Sequence, residues 1–387
     1  MRDLRNESLT ELDRSAPASE VTPHEGAHVP RRCGETMLAL TVRPGQRGSS
    51  SLRELAAPDP DEGSVLVQSL VVGLCGTDSE IINGGYGEAP PGEDFLVLGH
   101  ENLGRVLEAP PGSGLSVGDL VVGIVRRPDP EPCPACAAGE WDMCRNGRYT
   151  EHGIRGLHGF ARERWRTEPD TVVRLSPSLG RLGVLLEPTT IVAKAWEQVE
   201  RIGKRAFWQP EVVAVTGAGP VGLLAALLGV QRGLSVHVFD RVTTGPKPDL
   251  VRSLGATYHH DSLPDSGLRA DVLMECTGVP AVVVDVMRNG APDAIVCLTG
   301  VSGVGSRLPL DVGALNREAV LGNEVVFGSV NANRRHYEQA TRALAAADRD
   351  WLSRLITRTV PLHRYPEAFA RQSDDVKVVI DLEAAGQ

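Results

Sequence analysis

From Met37 onward, short apolar runs alternate with Gly- and Pro-rich breaks. Met37-Leu38-Ala39-Leu40-Thr41-Val42 stops at Pro44-Gly45, and Ser64–Val72, Asp119–Val125 and Asp170–Leu175 follow as β-branched runs. Clipped, β-branched runs of this kind predict a mainly β region to about Arg174. At Leu186–Ile202 the period changes: Ile191, Ala195, Val199 and Ile202 recur at helical spacing behind Pro188, predicting a connector helix. Then come Val212–Val215, a Gly-rich turn, the apolar helix Val221–Val230 and the strand Ser235–Phe239. Further strands are expected at Asp271–Glu275, Ile295–Thr299 and Glu324–Ser329, a helix at Arg334–Ala346 and a closing strand at Lys377–Leu382. Strands separated by crossovers imply a parallel sheet. The fold class is therefore α/β, with a mainly β domain joined to a doubly wound, parallel-sheet domain. Residues 1–36 are rich in charge, Pro and Ser and nearly devoid of apolar pattern, which predicts a flexible tail.

Composition narrows the classes. At about 150 residues per domain, 387 residues suggest two or three domains. A formal charge of −10 without a long basic run argues against nucleic acid, since phosphate neutralisation supplies most of that affinity. The most apolar stretch, Val221–Val230, is shorter than the roughly 18 residues that suggest a membrane span. With no apolar leader, a cytoplasmic location is expected. Of seven cysteines, Cys33, Cys276 and Cys297 are scattered, Cys133, Cys136 and Cys144 cluster, and Cys75 precedes Gly76-Thr77-Asp78. In such a setting clustered cysteines favour metal or catalysis over disulfides.

Gly217-Ala218-Gly219-Pro220-Val221-Gly222 follows a strand and opens a helix. Gly217 permits the turn, Gly219 leaves room for a pyrophosphate, Gly222 lets helix and strand approach, and the helix opened by Pro220 and Val221 turns its free N–H groups, which Pro220 itself lacks, to the phosphates. Asp240 closes the second strand at the spacing of a carboxylate that binds the adenosine ribose. It favours NAD, while Arg241 beside it leaves NADP open.

Cys75, His100-Glu101 and Glu187 supply thiolate, imidazole and carboxylates, the donor types of a catalytic zinc that keeps one position open. Spacing alone does not show that they converge. Gly73-Leu74-Cys75-Gly76-Thr77-Asp78, Gly99-His100-Glu101, Gly217–Gly222 and Glu275-Cys276-Thr277-Gly278 do, however, occur in the order found in the zinc-dependent medium-chain dehydrogenase/reductase superfamily, which the chain resembles from Met37 on. Glu80–Gly87, Phe95–Glu101 and Gly328-Ser329-Val330-Asn331-Ala332-Asn333 are most similar to the glucose 1-dehydrogenases within it.

That resemblance implies a GroES-like catalytic domain over 37–187, a connector helix and Rossmann domain over 188–330, and a segment, 331–387, returning to the catalytic domain. It implies zinc ligation by Cys75, His100 and Glu187. Glu101 matches a residue that binds zinc in some states and sugar in others, and Thr77 a hydroxyl close to the reacting alcohol. Thr277 falls with the cofactor, and Glu151 and Asn331 fall where sugar hydroxyls are bound. The reaction implied is hydride transfer from C1 of an aldose such as D-glucose to NAD(P), giving the aldonolactone, with zinc as Lewis acid. A polyol, aminocyclitol or other sugar-like alcohol is the alternative substrate class, and a non-catalytic dinucleotide-binding zinc protein the alternative of a different kind.

Two further expectations come with the resemblance. Cys133, Cys136 and Cys144 keep part of the superfamily's four-cysteine structural zinc lobe. The first cysteine is replaced near Pro130, so that Asp129 or Glu131 is left to supply a fourth ligand, or the lobe is empty. Glu324–Ser329 resembles the strand that extends the sheet across a two-fold axis, which implies a homodimer or homotetramer.

Overall fold

The computed structural model describes residues 36–303, 305 and 307–383. Apart from Thr36, which opens the first strand, the expected tail lies outside the described residues. No helix among the described residues is long and apolar enough to cross a membrane.

The β region is built on antiparallel pairing. Thr36–Val42 pairs with Ser51–Ala56 on one side and Leu96–Val97 on the other. A larger sheet runs in the order Val172–Arg174, Leu120–Gly123, Glu101–Glu108, Val65–Gly73, Lys377–Asp381, Ile356–Pro361, with Arg164–Thr167 also on Val65–Gly73. The closing strand is thus antiparallel to Val65–Gly73, with Val379 opposite Gly73. A strand from the far end of the chain enters the heart of the β domain and carries Lys377 with it.

The second sheet is wholly parallel, in the order Thr257–His259, Ser235–Phe239, Val212–Thr216, Ala270–Glu275, Gly290–Leu298, Val325–Gly328. In sequence rank this is 3-2-1-4-5-6, the order whose reversal between first and fourth strands opens a crevice at their carboxyl ends. Val213, Ala214 and Val215 are all buried, as befits a strand covered on both faces. The connector helix, Leu186–Gly203, packs Val192, Trp196 and Val199 into a core shared with the helices Pro220–Gln231 and Arg334–Ala345. Trp196 also donates its indole N–H to the carbonyl of Ala225 at 3.2 Å.

Two elements differ from the sequence expectation. Asp170–Leu175 begins as a 3-10 turn, Pro169–Thr171, because Pro169 fixes a helical φ, and only Val172–Arg174 is strand. The strand expected at Ile295 starts at Gly290; Pro292 and Asp293, the latter at φ 63°, mask its first half and shift its register.

Candidate functional site

The dinucleotide crevice follows from three glycines. Gly217 adopts φ +92°, and a Cβ there would lie 2.8 Å from Thr277 Cγ2. A Cβ on Gly222 would lie 1.8 Å from the Gly217 carbonyl oxygen, so helix and strand touch at backbone level, while Gly219 faces open space. This is a cradle a side chain would fill, and it fits a pyrophosphate at the start of Pro220–Gln231. Thr277 is held beneath the loop through its N–H and hydroxyl, both on Glu275 Oε1 at 2.7 and 2.5 Å. Asp240 accepts from Ala218 N–H at 2.8 Å, Val242 N–H at 3.2 Å and Lys247 Nζ at 3.1 Å, and Arg241 beside it is exposed. These donors outweigh burial and hold the Asp240 carboxyl below its ordinary range. A cavity of about 330 Å³ continues from Gly219, Pro220 and Val221 to Cys75, Glu101 and Lys377.

At that far wall the metal donors meet. Cys75 caps the helix Gly76–Ile82, and its Sγ lies 3.1 Å from His100 Nε2. The fully buried Asp78 fixes both: Oδ2 accepts the Cys75 N–H at 2.9 Å, and Oδ1 stands 3.4 Å from His100 Nδ1. A carboxylate behind the distal nitrogen is the arrangement that orients a metal-binding imidazole. Ligand atoms of Cys75, Asp78 and His100 lie within 4.8 Å of one another, as do those of His100, Glu101 and Glu187. Glycines make this possible. Gly99 takes φ +89° under Val72 Cγ1, 2.7 Å from its would-be Cβ, and a Cβ on Gly73 would strike Glu101 Oε2 at 2.2 Å. Thr77, half-buried, donates its N–H to Cys75 Sγ at 3.3 Å. Thiolate, imidazole and carboxylates around one open cavity fit a catalytic zinc.

Burial and the neighbouring side chains set the charges in this cluster. Burial pushes the Glu187 carboxyl up to about 7. Burial opposes charge on His100 as well, but Asp78 and Cys75 beside it prevail and hold its pKa well above the ordinary value. Glu101 is neutralised by Lys377, whose Nζ sits 2.7 and 2.5 Å from its two oxygens and also donates to the Leu74 carbonyl. Lys377 escaped the sequence reading, although a lone charge in Val376-Lys377-Val378-Val379-Ile380, a run otherwise apolar enough for a central strand, was a visible signal.

Glu151 and Asn331, 180 residues apart, are brought together: Asn331 Nδ2 donates to Glu151 Oε1 at 2.7 Å, from a left-handed backbone at φ 60°. Arg126, also missed, adds Nε at 3.1 Å and NH2 at 2.9 Å to the same oxygen, while Oε2 bonds no described residue. The buried Tyr337 accepts the Val125 N–H at 3.1 Å, and burial, then Glu187 and Glu151, raise its pKa. Asn333 serves the interior, donating to Asp142, and Asn83 caps its helix by donating to the Ser79 carbonyl. His152 and His158 are tied to each other's loop and to Glu93, and Arg155 to Glu88.

The sulfurs of Cys133, Cys136 and Cys144 also lie within 4.8 Å of one another, Cys133 and Cys136 at 3.6 Å. The Arg145 N–H, first among several donors, pulls Cys133 down to about 6; burial and Cys144 push Cys136 up to about 11. Asp129 turns its carboxylate to the Glu131 N–H at 2.9 Å and Arg148 Nε at 3.3 Å, and it is not among the clustered ligand atoms.

Comparison with known proteins gives the same outline. The family "Alcohol dehydrogenase GroES-like domain" matches residues 61–177, and "Glucose dehydrogenase C-terminus" matches 180–382. Glucose 1-dehydrogenase 1 of Caldivirga maquilingensis is 40% identical over 352 residues, 89% of this chain and 99% of that protein. Glucose 1-dehydrogenase of Thermoproteus tenax is 41% identical over 356 residues, 90% of this chain and 100% of that protein. Among solved structures, Haloferax mediterranei glucose dehydrogenase in complex with NADP, Zn and gluconolactone superposes with a TM-score of 0.83 at 34% identity, covering 89% of this chain and 99% of that one.

Proposed function

The chain belongs to the glucose dehydrogenase family of zinc-dependent medium-chain dehydrogenases, and from that premise we propose that it oxidises the C1 hydroxyl of an aldose such as D-glucose with NAD(P), releasing the aldonolactone. One observation carries the reading: Cys75, paired with His100 and backed by Asp78, lines the same cavity as Gly219. Residues 37–187 with 331–387 form the catalytic part, and 188–330 the cofactor part.

Cys75, His100 and Glu187 would hold zinc, which when bound supplies a Lewis acid that lowers the pKa of a hydroxyl. Asp78 keeps the His100 proton on Nδ1 and the Nε2 lone pair toward Cys75. Thr77, beside Cys75, would pass the hydroxyl's proton outward to Glu101, which Lys377 holds on the cavity wall, or to water. Glu151 Oε1 is saturated by Arg126 and Asn331, leaving Oε2 to accept from a sugar hydroxyl. A pocket whose polar groups are paired only by the right hydroxyls rejects substrates that lack them. The three-cysteine lobe would take a second, structural zinc on Cys133, Cys136 and Cys144. A cytoplasmic setting, which keeps thiols reduced, suits this lobe. Association through the strand Val325–Gly328 into a dimer, or a dimer of dimers, completes the reading.

The test is cofactor reduction by purified protein across aldoses, polyols and simple alcohols, with zinc content measured alongside. D-Glucose or a close aldose should lead, and Cys75→Ala and His100→Ala should lose zinc together with turnover by on the order of 10³-fold or more. Turnover of polyols or simple alcohols with no aldose oxidised would overturn the substrate assignment, and full activity in either variant the metal assignment.

A further inference from the structure

A carboxylate at the end of the second strand ordinarily accepts both hydroxyls of the adenosine ribose and repels a 2′-phosphate. Asp240 occupies that place, yet it is not free to act so. A carboxylate offers about four lone-pair directions. Ala218 N–H and Lys247 Nζ take two on Oδ2, and Val242 N–H takes one on Oδ1. One is left for a ligand, so two ribose hydroxyls cannot both be accepted while Lys247 stays. Lys247 itself is well placed to stay. Its side chain is only 15% exposed, that of Asp240 11%, and it reaches Asp240 from the start of the helix Pro246–Ser253. The ammonium lines the same cavity wall as Gly219, Pro220 and Val221, so it faces the cofactor as well as the carboxylate. With exposed Arg241 next in sequence, two cations adjoin the Asp240 carboxylate, while Asp374 stands against Gly245 and Arg371 and Asp375 line the same cavity as an opposite pair, an arrangement that admits a phosphomonoester.

We propose that Lys247 sets cofactor choice: paired with Asp240, it converts a carboxylate that would select NAD into a subsite that accepts a 2′-phosphorylated dinucleotide as well as NAD. The ammonium keeps one N–H on Asp240 and turns the other two to the phosphate. The inference rests on the dinucleotide reading above, and it concerns selectivity alone.

The experiment is binding of NADH and NADPH to the purified protein, followed by nicotinamide fluorescence and calorimetry with no sugar present. Wild type should bind both within about 30-fold of each other. Lys247→Met should weaken NADPH by about tenfold or more, a change of about 1.4 kcal/mol, and leave NADH within about threefold. Asp240→Asn should weaken NADH selectively, and Lys247→Arg should keep NADPH binding, which also answers for a variant that folds poorly. Equal weakening of both cofactors by Lys247→Met would make Lys247 a pyrophosphate anchor and sink the proposal, as would no effect on either. Wild type that binds NADH about 10³-fold tighter than NADPH defeats the proposal and spares the family reading, whereas wild type that binds neither defeats the dinucleotide reading itself.

Discussion

His100 and Glu187 both hold protons near neutral pH when no metal sits between them, one stabilised as a cation by Asp78, the other neutralised by burial with a pKa of about 7. A metal must displace those protons, because it binds the neutral imidazole and the carboxylate. Zinc affinity is therefore expected to rise with pH from 6 to 8, by about tenfold or more, with protons released on binding; calorimetry in buffers of different ionisation enthalpy measures both. Affinity flat across this window would mean that neither group gives up a proton to the metal. The sequence offered these residues readily, since Cys75, His100, Glu101 and Glu187 are of ligand type and sit in motifs. It hid their supports. No spacing in the sequence pairs Asp78 with His100, Arg126 with Glu151 or Lys377 with Glu101. Only the fold shows that each is buried against a functional carboxylate or imidazole.

At the scale of elements, the helix Arg334–Ala345 is the more informative because its start is polar and yet buried. His336 Nδ1 accepts the Asn333 N–H at 3.1 Å, Asn333 reaches Asp142, and Asp142 pairs with the buried Lys194 of the connector helix at 2.9 Å. Lobe, connector and C-terminal helix are thus held by one polar network. Burial, more than the opposing Asp142 and Glu197, lowers His336 to about 4. Its folded pKa lies below the unfolded value of about 6.5, so the unfolded chain takes up the proton first as pH falls. The stability it contributes is complete above pH 6.5 and is lost as pH drops toward 4. Thermal melts of wild type and His336→Asn from pH 7 to 4.5 should converge, with the wild type losing about 1–3 kcal/mol more across the window. Parallel curves would show that His336 does not titrate there. The helix itself was legible from its periodicity. Its partnership with Asp142, 191 residues earlier, was not, since no local pattern encodes which buried polar groups will meet.

The whole molecule presents one side of the parallel sheet unfinished. Val325–Gly328 pairs only with Gly290–Leu298 among the described residues, leaving its outer N–H and C=O groups open. An open apolar edge is a template for another strand. The sequence pointed to this strand, but not to what surrounds it, because the preceding helix and loop alternate irregularly. In the structure Val301, Val320 and Leu321 are 79%, 65% and 69% exposed, and Leu308, Leu310, Val312 and Val326 are exposed as well. Phe207 and Val117 are exposed elsewhere, but here the exposed apolar residues gather within one stretch of chain that ends on an open strand edge, the pattern expected of an interface. A two-fold axis beside Val325–Gly328 would continue the six-strand sheet into its copy and cover the same patch on both, since a two-fold interface uses one surface twice. Light scattering should therefore report a dimer or tetramer at micromolar concentration. Val326→Lys together with Leu321→Glu should shift it toward monomer, with a melting temperature that no longer rises with protein concentration. Because Ala270–Glu275 and Gly290–Leu298, the strands that lead into Cys276-Thr277 and Thr299, lie between this edge and the cofactor crevice, the split variant should also bind dinucleotide less tightly while its zinc content stays unchanged. A wild-type monomer would leave the exposed patch without its partner and refute the assembly.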